Sequence, residues 1–335
     1  MRASRLFKPL ALLGACAALA LPCTDALARP PAFDRVVVFG ASLSDTGNAF
    51  AWLAEPANAA CGTSLNVPPY DALDVFTVPD GPYATGGHHF TNGATWAEGM
   101  ARALALGGNT RPALANAGQK ASNYAVGGAR AVRNYPCRYN LPMQVDTYLG
   151  DFTMTTPGTL VAIEIGGNDV RDALVAVATT GDPNAAAPYI GGALNSLAFE
   201  MGRLYGHGAK RFLLLNVPDV GKTPAVRLLG PLAQFVAGQL ATQYNANLQG
   251  LRDFMALNLQ GSDIRILDIR STLDEVIANP ASYGFTNTTQ ACVTPGVAPF
   301  KCKQPDSYVF WDGIHPTKAV HAIVAQQALV KIGAP

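Results

Sequence analysis

The stretch VVVFGASLSDTGN, Val36 to Asn48, decides how this chain folds. Four apolar residues, three of them β-branched, end at Gly40, and Ser42, Ser44, Asp45, Thr46 and Asn48 crowd the eight positions that follow. A run that is apolar at every position suits a strand covered on both faces, since a strand with one wet face alternates. The polar cluster after it reads as a sharp turn into a helix, with Asp45 placed to cap that helix.

The same rhythm recurs along the chain. Apolar runs at 122–125, 159–165, 211–217 and 263–269 join 35–39 as expected strands, and helical stretches are expected at 46–54, 95–105, 170–178, 190–205, 231–257 and 316–332. Strands alternating with helices predict an α/β fold: a central, mostly parallel five-stranded sheet with helices on both faces. Two segments break the rhythm, 55–90 and 281–307, and read as long loops of the kind that border sites. No internal repeat and no linker marks a second domain.

The 335 residues are 49% hydrophobic and 14% charged, enough apolar sequence for a large core and too much for disorder. Residues 1–28 read as an export leader: Arg2, Arg5 and Lys8, an apolar run from Leu10 to Leu21, Pro22, and then Ala26-Leu27-Ala28 as a cleavage site. The run is shorter than the ~20 residues that span a bilayer, and Pro22 argues against Cys23 as a lipidated residue. One domain, 29–335, is expected to follow, periplasmic or secreted and without a transmembrane segment. Losing the leader removes three basic residues and Asp25, which turns a net charge of +1 into −1 and gives no bulk attraction to nucleic acid or an anionic membrane. Oligomeric state is not legible. Four of the six cysteines remain, and four allow three pairings. Cys61–Cys137 and Cys292–Cys302 are the expected disulfides; the second pair is close in sequence within a loop containing Pro and Gly.

In an open α/β sheet, ligands bind beyond the carboxyl ends of the strands. Four polar clusters fall there: Ser42; Gly127-Gly128; Gly166-Gly167-Asn168-Asp169; and FWDGIHPT, which holds Asp312 and His315. Together they can support acyl transfer. A serine in a strand-to-helix turn presents its hydroxyl, a histidine accepts the proton, a carboxylate orients the imidazole, and N–H groups hold the oxyanion. Pro316 suits the first position of a helix and keeps His315 out of helical conformation at its entrance.

These residues resemble the SGNH or GDSL hydrolases, in particular the exported bacterial branch that includes lipases, phospholipases, acyltransferases and cholinesterases. FGASLSDTGN is similar to the nucleophile block, NYAVGGA to the glycine block, GGND to the asparagine block and WDGIHPT to the Asp-x-x-His block, in that order from Phe39 to Thr317; FTNGATW is a fifth similar segment. The resemblance implies a three-layer, flavodoxin-like α/β/α fold and a serine esterase mechanism without metal or other cofactor. It implies Ser42 as nucleophile, Asp312 as orienting acid and His315 as base, with the Ser42 N–H, Gly128 and Asn168 as oxyanion donors. Gly128 is taken over Gly127 because it lies five residues after Asn123. Ala41 departs from the pattern, which has Asp there, and implies altered hydrogen bonding around the nucleophile turn. The implied substrates are carboxylic esters, lipidic or short-chain, lysophospholipids among them. Acyl transfer to an alcohol, removal of acetyl groups from carbohydrate, and a non-catalytic binding protein on the same scaffold are the alternatives.

Other residues have plainer expected roles. Ser44 makes a turn hydrogen bond. The loop lacks the spacing of a phosphate-binding motif. Asp169 caps a helix, His88-His89 sit in a flexible loop without a metal-ligand cluster, His207 is solvated or a cap, and His321 is a helix-surface residue. Trp96 and Trp311 are expected in the core, with Trp311, beside Asp312, also forming a wall of an acyl pocket.

Overall fold

The apolar runs become four parallel strands, β1 (Arg35–Gly40), β2 (Thr159–Glu164), β3 (Arg211–Leu215) and β4 (Asp263–Leu267), paired in that order. The structure is a computed structural model that describes residues 33–58, 61, 83–84, 86–116, 121–134, 137–294, 298 and 302–334. The expected leader, 1–28, lies outside the described residues, as do most of the loop 55–90 and part of 281–307.

Around the sheet run α1 (Asn48–Ala54), α2 (Trp96–Ala103), α3 (Leu141–Asp151), α4 (Gly167–Thr180), α5 (Ala187–Gly206), α6 (Pro224–Arg227), α7 (Pro231–Asn258), α8 (Ile269–Ala278) and α9 (Lys318–Ile332). Strand side chains alternate between two cores. Val37, Phe39, Val161, Ile163, Phe212 and Leu214 pack with Tyr148 of α3, Val170 of α4, Leu197 of α5 and Ala241 of α7. Val36, Val38, Leu160, Ala162, Leu213 and Leu215 pack with Trp96 and Met100 of α2 and Ala325 and Ala328 of α9. The period of two in a strand therefore buries both faces and yields the expected three layers.

The sheet has four strands, not the five expected. The segment at 122–126 does run beside β1, with Val38 N donating to Ser122 O (2.9 Å), Tyr124 N to Val38 O (2.7 Å) and Val126 N to Gly40 O (3.1 Å). Only Asn123 forms a bridge there. Its Oδ1 turns back to accept from Ala125 N at 3.0 Å, and Pro112, its outer bridge partner, has no N–H with which to extend a ladder.

Several helix expectations also shift. α3 and α8 were not among the expected helices; α8 starts where the strand at 263–269 was expected to end, because Asp268 caps it through Ser271 N at 3.0 Å. α9 begins at Lys318 after Thr317, two residues later than expected, and Pro316 instead bridges Phe310. A second sheet, β5 (Asn287–Ala291) and β6 (Tyr308–Phe310), lies within and beyond the second long loop. Cys61–Cys137 and Cys292–Cys302 are both bridged, with Cα atoms 4.9 and 5.1 Å apart.

Candidate active site

β1 ends on Gly40, whose φ of +150° and close approach to the Glu164 carbonyl leave no room for a Cβ. The next turn carries Ser42 and closes with Ser44 N donating to Ala41 O at 3.1 Å. Asp45 then gathers four backbone donors: Gly47 N, Asn48 N, Ala49 N and, across the cleft, Gly127 N, at 2.7–3.0 Å. It both starts α1, as expected, and ties the serine turn to the glycine segment. Asn48 and Asn123 add to that tie. Asn48 Nδ2 donates to Asn123 O (2.8 Å) and Ala125 O (2.9 Å), and Asn123 Nδ2 donates to Ser44 O (2.7 Å).

His315 reaches Ser42 from the loop before α9. Its Nε2 is 2.8 Å from Ser42 Oγ, and its Nδ1 is 2.7 Å from Asp312 Oδ2. Asp312 is fully buried. Its Oδ1 accepts the Ile314 and His315 amides at 2.8 and 2.7 Å, so the carboxylate shapes its own loop as well as the imidazole. Tyr83, from the long loop at 55–90, donates its hydroxyl to Asp312 Oδ2 at 2.7 Å. Burial alone would push the Asp312 carboxyl up; the facing His315 and the bonds from its ring and backbone, with the Ile314 amide, hold it below its ordinary value.

Of the two glycines at 127–128, Gly127 has its N–H committed to Asp45. Gly128, in the left-handed region at φ +77°, makes no amide hydrogen bond among the described residues. Asn168, in the first turn of α4, donates Nδ2 to Ala129 O at 2.9 Å, which fixes the amide plane. Ser42, Asn168 and His315 line one cavity whose walls are mainly aliphatic: Leu174, Leu215, Val226, Ile269 and Val320. Gly128 and Trp311 are not among its lining residues; Trp311 packs instead against Tyr83, ring centroids 6.0 Å apart.

Four plainer expectations are corrected. His321 is buried on the inner side of α9 and lines the cavity; its Nδ1 accepts from Trp96 N at 3.3 Å, and burial, with His315 and His89 nearby, pushes its pKa down to about 3. Asp169 does not cap α4: it accepts Ala131 N at 3.2 Å, and burial pushes it up to about 7. His89 is buried with Nε2 3.0 Å from Glu98 Oε2, and His88 stacks on Phe50. Ser44 has more than a turn bond: its hydroxyl is 3.2 Å from Glu164 Oε2 and accepts from Trp96 Nε1 at 2.9 Å. His207 is the C-cap of α5, as expected.

Tyr83 and Glu164 were missed by sequence reasoning. Tyr83 carries no periodic signal. Glu164 did leave one, as the lone charge in the apolar run TLVAIE just before GGND.

The family model described as GDSL-like lipase/acylhydrolase matches residues 36–328. The chain belongs to that family and is a serine carboxylic-ester hydrolase. A GDSL esterase/lipase from Arabidopsis thaliana is 28% identical over 330 residues, 87% of this chain and 85% of its own length. The thermolabile hemolysin of Vibrio parahaemolyticus is 26% identical over 327 residues, 91% of this chain and 65% of its own. Among solved structures, the acetylxylan esterase Axe2 from Geobacillus stearothermophilus aligns with a TM-score of 0.38 at 15% identity, covering 90% of this chain and 94% of that one.

Proposed function

We propose that this chain is an exported esterase in which Ser42 attacks carboxylic esters bearing an apolar acyl chain. His315 takes the hydroxyl proton at Nε2 and returns it to the leaving alcohol. Asp312 keeps Nδ1 protonated and stabilises the imidazolium that forms. The acyl group passes to Ser42 Oγ, and water, deprotonated by the same imidazole, releases it as the acid. The oxyanion is held by the Ser42 N–H, the Gly128 N–H and the Asn168 side-chain amide.

The observation that carries this reading is the chain of contacts Ser42 Oγ–His315 Nε2 at 2.8 Å and His315 Nδ1–Asp312 Oδ2 at 2.7 Å. The aliphatic cavity beside Ser42 supports an apolar acyl group, since burying each methylene contributes about 0.8 kcal/mol. Residues 1–28 and two disulfides support export of a single hydrolase domain, 29–335. Among the described residues no helix is long and apolar enough to cross a membrane.

The test is a series of p-nitrophenyl esters from acetate to palmitate, with Ser42→Ala as control. We expect kcat/KM to rise with chain length over the shorter esters and to vanish in the control. Equal rates with the control enzyme, or a preference for acetate alone, would refute the corresponding part.

A further inference from the structure

Ser42 lies between two residues that reach the same carboxylate oxygen. Ala41 N is 3.3 Å from Glu164 Oε2, and Ser44 Oγ is 3.2 Å from it. Ala41 N also donates to the Glu164 carbonyl at 3.1 Å. Position 41 contributes only backbone and a methyl group, so the turn has no carboxylate of its own there. The direction of the Ser44 bond is fixed by chemistry. Trp96 Nε1 is a donor only and points at Ser44 Oγ from 2.9 Å, so the Ser44 hydrogen must go elsewhere, and Glu164 is the acceptor in reach. The carboxylate stands at the end of β2, is 6% exposed, and belongs to no salt bridge among the described residues.

We propose that Glu164 is a positioning residue for Ser42: one buried carboxylate oxygen holds the residue before and a residue after the serine, and thereby sets its hydroxyl against His315. The proposal rests on the reading of Ser42 as nucleophile.

A carboxylate buried without a cationic partner is costly, and such a cost is retained where the group does a job. The groups facing it are Ala41 N and Ser44 from the serine turn, His315 from the loop before α9, and Tyr244 from α7. Burial pushes Glu164 up to about 7, against the pull of Ala41, Ser44 and His315. Its charge therefore changes near neutrality, and its negative form favours a proton on His315. A protonated carboxyl still accepts through its carbonyl oxygen but carries no charge, so the bonds from Ala41 and Ser44 weaken as pH falls.

The experiment compares wild type, Glu164→Gln and Glu164→Ala. It reads kcat and KM on a p-nitrophenyl ester, the rate at which a fluorophosphonate labels Ser42, and both as functions of pH, with melting temperatures alongside. Glu164→Ala is expected to lose at least about tenfold in kcat and labelling rate, with KM within about twofold. Glu164→Gln keeps an acceptor oxygen at the same reach. It is expected to recover most of that loss at pH 8 and to move the acid limb of kcat/KM to lower pH. A folded Glu164→Ala with wild-type kcat and labelling overturns the proposal. So does a glutamine variant whose acid limb stays in place, which decides the matter if the alanine variant does not fold. A wild type that is not labelled at Ser42 overturns the reading of the serine and this proposal with it. A labelled wild type with indifferent Glu164 variants overturns this proposal alone.

Discussion

Trp96 Nε1 donates to Ser44 Oγ across 2.9 Å, and this one bond separates the roles of the two serines. Ser44 is fully buried and its hydroxyl is occupied on both sides, by an indole donor and a carboxylate acceptor. Ser42, two residues earlier, is part-exposed, and among the described residues its hydroxyl meets only His315 Nε2. Ser42→Ala is therefore expected to abolish ester turnover and fluorophosphonate labelling. Ser44→Ala should keep at least about a tenth of kcat, because it loosens the turn without removing the proposed nucleophile, while losing about 1–3 kcal/mol of stability from the orphaned indole N–H. Mass-spectrometric mapping of the labelled residue, with thermal melts, checks both. Label on residue 44 would reverse the assignment.

Much of this was legible in the sequence because the strands are apolar at every position and each ends on small or polar residues. A chain so patterned has to put those residues together at one edge of a parallel sheet. What was not legible came from side-chain bonds between segments far apart. The expected strand at 122–125 failed as a strand because Asn123 bonds its own neighbour and Pro112 ends the ladder. α8 was hidden because Asp268 closes β4 and caps the helix at the next residue, leaving no loop to read. His321 was misread because α9 is apolar over much of its circumference, so its periodicity does not mark an outer face. Tyr83 reaches Asp312 across 229 positions, which no local pattern reports.

That tyrosine makes a prediction of its own. Its hydroxyl and His315 Nδ1 share one oxygen of Asp312. A hydrogen bond to a charged group contributes about 1.5–3 kcal/mol, and part of that steadies the carboxylate against which the imidazole turns. Tyr83→Phe, which keeps the ring against Trp311, is expected to lower kcat about 3–10-fold with KM little changed. Steady-state kinetics on the same ester suffice. An unchanged kcat would limit Tyr83 to packing.

Asp169 predicts how stability depends on pH. Its carboxyl is raised to about 7 in the folded protein, burial being the main cause, whereas in the unfolded chain it ionises near 4. The folded state therefore holds the proton more tightly. Nothing is lost below about pH 4, where both states are protonated. Stability falls as pH rises from about 4 to 7, and the full cost persists above 7. An amide keeps an acceptor for Ala131 N and has no such cost. Asp169→Asn is expected to raise the melting temperature at pH 8 by an amount equivalent to about 2 kcal/mol, and to change it little at pH 4. Thermal melts of both proteins across that range test the slope. A parallel shift at every pH would mean that the carboxyl does not titrate as described.

The last prediction concerns Asn168. When an ester carbonyl is attacked, its oxygen gains charge that the cleft must hold. The Ser42 and Gly128 amides make no other hydrogen bond among the described residues, so both are available as donors. Asn168 commits one Nδ2 hydrogen to Ala129 O at 2.9 Å, and the second makes no bond among the described residues. The first bond orients the second donor before any substrate arrives, which is what makes a donor effective in the transition state. Asn168→Ala should therefore lower kcat by ~10²–10³, with a much smaller change in KM. Asn168→Asp should be at least as damaging, because it puts an acceptor, and at neutral pH a charge, where the oxyanion forms. A purely structural Asn168 predicts something else: a lower melting temperature from the lost Ala129 bond, with near-normal kcat in the folded fraction. Measuring kcat and the melting temperature on both variants separates the two, because only a donor to the transition state lowers kcat in protein that melts like the wild type.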